Sequence, residues 1–157
     1  MDIRLSVLIL FATLCFAATA EENMTIKFGS GVNHIPNSSL YSVGFEKYFE
    51  NSKYLYKVDF GFWSDSHFKN KGSVFTDIMI GHKFGTIKSL NANFMIGLLL
   101  MSDPDRVLGS PYQSTEEISL DYKRLSIGIK HISNAGVKTP NLGRDYLFMN
   151  YTTPLTY

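Results

Sequence analysis

The chain has 157 residues and carries 15 Lys and Arg against 14 Asp and Glu, which gives a formal net charge of +1. This length allows one domain. The balanced charge argues against the strongly basic face that nucleic-acid binding requires, so we expect no nucleic-acid partner.

The first twenty residues have the pattern of a secretory signal peptide. Arg4 gives the start a positive charge, an almost wholly apolar run follows over 5–17, and Ala18-Thr19-Ala20 supplies the small residues of a cleavage site. The apolar run is short for a membrane-spanning helix, so an uncleaved anchor is the less favoured alternative. We therefore predict a signal peptide at 1–20 and a mature domain at 21–157.

The mature domain lacks cysteine and is rich in aromatic residues. The single cysteine, Cys15, falls within the signal, so we expect neither a disulfide nor thiol chemistry. Of 12 Phe, 9 Tyr and 1 Trp, only Phe11 and Phe16 belong to the signal. Such enrichment suits the aromatic girdles of a membrane barrel, although a well-packed soluble β-sandwich would also account for it.

Alternation with a period of two dominates the mature domain. Over 54–63, aromatic and apolar residues alternate mostly with charged residues and glycine, and the same period recurs over 118–130 and 146–151. No helix, internal repeat or linker is predicted. Eight strands are predicted, near 24–32, 40–49, 53–63, 73–84, 91–101, 114–123, 124–134 and 145–152.

Eight antiparallel strands behind a signal peptide fit either a soluble sandwich or barrel, or a transmembrane barrel. Strands of about 9–11 residues favour the membrane. Several charged residues lie opposite apolar faces, where they would pair across the lumen of a membrane barrel but face water on a sandwich. These residues are Lys57, Asp59, Asp77, Asp121, Lys123 and Lys130.

We favour an all-β, eight-stranded antiparallel transmembrane β-barrel. If both termini of this barrel are periplasmic, the first, third, fifth and seventh connections should be the longer ones. The sequence agrees with this alternation of long and short connections, because these four are longer than the connections at 50–52 and 123–124.

Side chains able to do chemistry concentrate between residues 130 and 145. His131 and Ser133 have the outward parity of Ile129, and Asp145 opens the last strand with the outward parity of Leu147. A hydroxyl, an imidazole base and an orienting carboxylate are the groups of serine hydrolysis. Strand order places the patch at the extracellular rim, facing the outer leaflet with its lipopolysaccharide. A Ser/Asn/Gly turn with an incidental histidine is the alternative.

The pattern His131-x-Ser133-Asn134-Ala135-Gly136, followed by Pro140-Asn141-x-Gly143-x-Asp145, resembles the signature of the lipid A 3-O-deacylase (PagL-type) family. The resemblance implies an eight-stranded outer-membrane barrel that removes the ester-linked 3-hydroxyacyl chain at the 3-position of lipid A. It implies Ser133 as nucleophile, His131 as general base and Asp145 as orienting acid. Asn141 and the backbone near Gly136 would hold the oxyanion, with Asn134 as an oxyanion or supporting partner.

One residue departs from the family pattern. The family acid is glutamate, whereas this chain has Asp145, which is one methylene shorter. The last strand would have to approach closer, or the imidazole would have to tilt. We expect activity to persist because this acid orients the base and does not react itself, with a lower turnover or an altered substrate preference as the risk.

The resemblance implies lipid A, lipopolysaccharide and outer-membrane lipids as partners, a Gram-negative outer membrane as the location, and no cofactor. We also consider a homodimer. His34, His67 and His82 have no second ligand at metal spacing, so no metal site is predicted. Surface charge is the default interpretation of Arg144, with contact to lipid A phosphates as the alternative. The competing functional hypothesis is a non-catalytic barrel with a structural or adhesion role. A third hypothesis is a soluble periplasmic β-domain.

Overall fold

The computed structural model describes residues 22–32, 38–50, 52–65, 72–102, 108–136, 139 and 143–155. The predicted signal peptide at 1–20 lies outside the described residues and stays a prediction, as does the boundary of the mature domain. Within the described ranges, no helix is long and apolar enough to cross a membrane. The strands are β1 (Glu22–Val32), β2 (Ser38–Tyr48), β3 (Tyr54–Asp65), β4 (Ser73–Ile87), β5 (Leu90–Met101), β6 (Tyr112–Tyr122), β7 (Leu125–Ser133) and β8 (Arg144–Pro154).

Each strand pairs antiparallel with the next, and β1 pairs with β8, so the sheet closes into a barrel. The predicted eight strands and the all-β antiparallel barrel are confirmed. The largest difference in bounds is at β4, which was predicted to end at residue 84 and extends to Ile87. A register shift between Phe84 and Thr86 accommodates Gly85, whose φ of +59° favours glycine.

The connections differ in length between the two ends of the barrel. At the end where β7 stops and β8 starts, here called the site end, the segments 66–72, 102–111 and 134–143 are long. The opposite end has the two-residue turns 88–89 and 123–124. The first connection was predicted to be longer than those at the opposite end. This prediction is wrong, because 33–37 at the site end and 49–53 at the opposite end both contain five residues.

The interior is charged at mid-height. Lys27 Nζ lies 3.1 Å from Asp59 and 2.5 Å from Glu117, and Lys130 pairs with Asp77 and also lies 3.4 Å from Glu117. Lys57 Nζ lies 3.8 Å from both Asp59 and Glu117. These three lysines and three carboxylates, here called the lumen network, balance in charge. All six side chains are at most 4% exposed.

Of the six predicted inward charges, the lumen network contains Lys57, Asp59, Asp77 and Lys130. Asp121 has the inward parity of Glu117 but lies outside the network, and its carboxylate accepts hydrogen bonds from Asn93 and Ser119. Lys123 belongs to the β6–β7 turn, has a φ of +55°, and extends its ammonium over the ring of Tyr122 at 5.3 Å. It was therefore wrongly assigned to the lumen. Lys27 and Glu117 were missed because neither stands in the cleanest alternating segments of the sequence.

Apolar side chains close the barrel above and below the lumen network. The cluster at the site end, here called the upper cluster, consists of Leu40, Trp63, Phe75, Leu99, Met101, Leu108, Ile132 and Tyr146. A smaller cluster of Leu55, Met79 and Met95, with Tyr48 packed against it, lies nearer the opposite end. The interior is thus packed with side chains.

The outward face is apolar over most of its height. Leu98 is 74% exposed, Ile118 61% and Met149 58%, and comparable side chains point outward from every strand. An apolar surface of this extent is unfavourable in water and matches the hydrocarbon of a bilayer. The pattern of charges inside and apolar groups outside agrees with the transmembrane alternative and disfavours a soluble β-domain.

Breaking the lumen network should destabilise the barrel strongly. Lys27→Met leaves Asp59 and Glu117 buried with less compensating charge, for which we expect a loss of about 3–5 kcal/mol in the free energy of unfolding. The measurement is the urea midpoint of the protein folded in lipid vesicles. The exposed Lys53 supplies the control, and equal midpoints for Lys27→Met and Lys53→Met would contradict the expectation.

Candidate active site

The outward residues of the site are held by their inward neighbours. On β7, His131 and Ser133 flank Ile132, which is completely buried in the upper cluster. On β8, Asp145 stands between Arg144 and Tyr146, and both of these side chains are buried. Because side chains alternate along a strand, anchoring the inward residues fixes the direction of the outward ones.

Arg144 therefore points into the barrel, and its interpretation as a surface charge is wrong. Its guanidinium lies 5.7 Å from the ring centroid of Trp63 and donates hydrogen bonds to Tyr146 Oη at 3.4 Å and Ser38 Oγ at 3.5 Å. These contacts join the start of β8 to β2 and β3. Neighbouring side chains on a strand point to opposite faces, so the outward direction predicted for Asp145 already implied that Arg144 points inward.

His131 and Asp145 stand directly opposite each other on β7 and β8. His131 Nδ1 lies 2.6 Å from Asp145 Oδ1, a hydrogen-bond distance. With the proton on Nδ1, the imidazole donates to the carboxylate and leaves Nε2 free to accept a proton. The shorter acid of this chain thus reaches the imidazole.

Ser133 is partly buried on the same outward face, two residues after His131. Its Oγ lies 3.1 Å from the Oγ of Ser114, which faces it on β6. The Ser114 hydroxyl also reaches the backbone carbonyl of Ser133, at 2.9 Å. The hydroxyl predicted as the nucleophile therefore has a neighbour that the sequence did not indicate.

Asn134 joins the end of β7 to the segment before β6. Its Nδ2 donates to the carbonyl of Leu108 at 2.8 Å, and its Oδ1 accepts the Gly136 N–H at 3.0 Å. Asn134 is 2% exposed and Leu108 is completely buried. These contacts give Asn134 a role in shaping the turn, while the oxyanion roles of Asn134 and Gly136 stay predictions. Asn141 lies outside the described residues.

Gly143 packs against the histidine ring. It has a φ of +69°, and an added Cβ would lie 2.7 Å from His131 Cε1. The quoted motif contained this glycine, but only the strand pairing shows that it borders the imidazole. No group of three or more His, Cys, Asp or Glu within the described ranges could hold a metal ion.

A shallow groove of about 910 Å³ follows the outer wall from β1 to β6. Its outward lining includes Phe28, Tyr41, Phe62 and Val74, and it reaches Tyr112 near the site end. The groove lining does not include His131, Ser133 or Asp145. Tyr112 is two residues from Ser114, so the groove ends beside the site.

A closed eight-stranded sheet with charges inside and apolar side chains outside defines a membrane-spanning β-barrel of the outer-membrane type. Solved structures share this fold at low sequence identity. The crystal structure of the outer membrane enzyme PagL matches with a TM-score of 0.65 at 19% identity, covering 85% of this chain and 99% of that chain. The N-terminal barrel domain of Pseudomonas aeruginosa OprF matches with a TM-score of 0.60 at 12% identity, covering 85% and 97%.

The outer membrane protein Ail of Yersinia pestis has a TM-score of 0.52 at 12% identity, covering 86% of this chain and 100% of that chain. A search of the curated proteins finds no significant match. The family model described as lipid A 3-O-deacylase (PagL) matches residues 37–154. The chain belongs to the lipid A 3-O-deacylase family, and is thus an ester hydrolase of the outer membrane.

Gly143→Ala should displace the His131 ring. Because His131 is the predicted general base, and small misplacements of such a group cost about 100-fold in rate, we expect ester hydrolysis to fall by about this factor. The measurement is hydroxyacyl release from purified lipopolysaccharide. Gly85→Ala is the matched control, because Gly85 also has a positive φ but an added Cβ there meets nothing within 4 Å. Equal activity of the two variants would exclude a role for this contact.

Proposed function

We propose that the protein removes the ester-linked 3-hydroxyacyl chain at the 3-position of lipid A in the outer leaflet by a Ser-His-Asp mechanism. The observation that carries the proposal is the 2.6 Å contact between His131 Nδ1 and Asp145 Oδ1. Ser133 lies on the same outward face of β7. Family membership supports the reaction, and the contact supports the assignment of the residues.

In the proposed reaction, Ser133 Oγ attacks the acyl carbonyl while His131 Nε2 accepts its proton. The carbonyl electrons move to oxygen, and the resulting oxyanion is stabilised by Asn141 and by backbone amides near Gly136. The intermediate then collapses, the bond between the acyl carbon and the sugar oxygen breaks, and His131 gives its proton to that oxygen, which leaves as a hydroxyl. Water, activated by the same imidazole, releases the hydroxy acid and restores Ser133. Asp145 holds the imidazole in the required tautomer, and no cofactor takes part.

The lengths of the connections support the orientation towards the outer leaflet. Short turns of outer-membrane barrels face the periplasm and longer loops face outside. The two-residue turns 88–89 and 123–124 lie opposite the site end. The site then lies at the level of the outer leaflet, which contains lipopolysaccharide.

The wall around the site suits a lipid substrate. Ile129 and Leu147, one outward step from His131 and Asp145, are 55% and 47% exposed. The groove that ends at Tyr112 offers further apolar surface on the β6 side. We propose that acyl chains lie along this wall while the ester group meets Ser133 near the polar boundary. The homodimer stays a prediction.

Ser133→Ala should abolish removal of the hydroxyacyl chain, because no hydroxyl remains to form the acyl intermediate. Mass spectrometry of lipid A from cells that express each variant measures the loss. Ser39→Ala, which removes another outward hydroxyl at the site end, should leave the wild-type profile. Continued loss of the chain with Ser133→Ala would refute the mechanism, and an unchanged lipid A profile with the wild type would favour a non-catalytic barrel.

Asp145→Asn should lower turnover by about 10²–10⁴-fold, because an amide neither fixes the required tautomer nor stabilises the imidazolium. Asp145→Glu restores the acid of the family pattern and should keep the activity. Initial rates on purified lipopolysaccharide in detergent distinguish the two variants. Equal rates for Asp145→Asn and the wild type would remove Asp145 from the proposed triad.

A further inference from the structure

We propose that Ser114 is a positioning residue that orients the hydroxyl of Ser133 for attack. The inference rests on the proposed function, in which Ser133 is the nucleophile. The two serines stand directly opposite each other on β6 and β7. Ser114 is at least 17 residues before every member of the family motif (131 − 114 = 17), so only the pairing of the strands brings it to the site.

Ser114 contacts Ser133 at two atoms. Its Oγ donates to the Ser133 carbonyl at 2.9 Å and lies 3.1 Å from Ser133 Oγ. A hydroxyl has one proton, so while Ser114 donates to the carbonyl, the bond between the hydroxyls must use the proton of Ser133. This arrangement holds Ser133 Oγ in one rotamer beside β6.

The same pair of hydroxyls has a second arrangement that suits the reaction. When the Ser133 proton turns towards His131, the Ser114 proton can turn from the Ser133 carbonyl to Ser133 Oγ. Ser114 then donates to Ser133 Oγ and holds it in place while His131 accepts the Ser133 proton and a lone pair of Oγ bonds to the acyl carbon. The charge that develops goes to the former carbonyl oxygen, and no proton leaves Ser114, so its role is to orient the nucleophile.

The neighbours of Ser114 on β6 keep it in place. Gln113 and Thr115 point inward and are 2% and 1% exposed, and Thr115 Oγ1 donates to Asp77 Oδ1 at 2.9 Å. The lumen network thereby fixes β6 on one side of Ser114. The hydroxyl of Ser114 is therefore presented from a rigid strand, which is what positioning a nucleophile requires.

The chain offers a matched control at the same end of the barrel. Ser39 also points outward and stands opposite Ser30 on β1. Both β1 and β8 lie between Ser39 and Ser133, and β1 lies between Ser39 and Asp145. Ser39→Ala removes an equivalent outward hydroxyl from another cross-strand serine pair. Any loss of stability common to removing such a hydroxyl appears in both variants.

The experiment measures kcat and KM on purified lipopolysaccharide for the wild type, Ser114→Ala, Ser114→Thr and Ser39→Ala. A second readout is the rate at which a fluorophosphonate labels Ser133, which reports the reactivity of the hydroxyl without the lipid. We expect Ser114→Ala to lower both kcat and the labelling rate by about fivefold to tenfold, the effect of one lost hydrogen bond. KM should not change, and Ser114→Thr should restore both rates.

Wild-type rates for Ser114→Ala in both assays would overturn the inference. A change in KM alone would also overturn it, since that result indicates a role in substrate binding. So would an equal fall in kcat for Ser39→Ala, since that result indicates a general loss of stability. Failure of the proposed function gives a different result, in which Ser133→Ala retains the activity of the wild type or the wild type has none. Active wild type, inactive Ser133→Ala and unimpaired Ser114→Ala would reject the role of Ser114 alone.

Discussion

Opposite charges held inside a closed barrel are the constraint on which the rest of the structure depends. A closed sheet has no free edge, so every strand must supply one face to the lumen and one to the surroundings. Lys27, Lys57 and Lys130 enter an interior with almost no exposure, where unpaired charge is strongly unfavourable. Asp59, Asp77 and Glu117 neutralise them from β3, β4 and β6. The pairs oppose slippage of these strands, because a shift by one residue would turn each charge towards the membrane.

The same alternation connects the interior to the site. Lys130 belongs to the lumen network, Ile132 to the upper cluster, and His131 is the outward residue between them. On β8, Arg144 and Tyr146 anchor Asp145 in the same way. The outward direction of His131 and Asp145, the proposed base and acid, is therefore set by buried side chains on the same two strands.

The candidate site extends over three neighbouring strands. β8 supplies the carboxylate that contacts His131, β7 supplies the imidazole and the hydroxyl, and β6 supplies a second hydroxyl at 3.1 Å from the first. Gly143 leaves room for the imidazole just before β8 begins. Asn134 ties the end of β7 to Leu108, so the turn that follows Ser133 is joined to the upper cluster. The imidazole, the carboxylate and the two hydroxyls share the outward face of these strands.

The sequence by itself determined the number of strands, their inward and outward faces, and the motif that contains His131, Ser133 and Asp145. These features depend on local alternation and on residues close together in the chain, so they can be read without a structure. Alternation did not extend to Lys123, because a tight turn with a positive φ takes it out of the strand pattern.

Only the tertiary structure decided which residues meet across strands. Lys27 and Glu117 are 90 positions apart, and Ser114 and Ser133 are 19 apart. Their contacts follow from the register of the barrel, which the packing of the whole interior sets jointly. Register also decided that the shorter Asp145 reaches His131, since it places the two residues directly opposite each other.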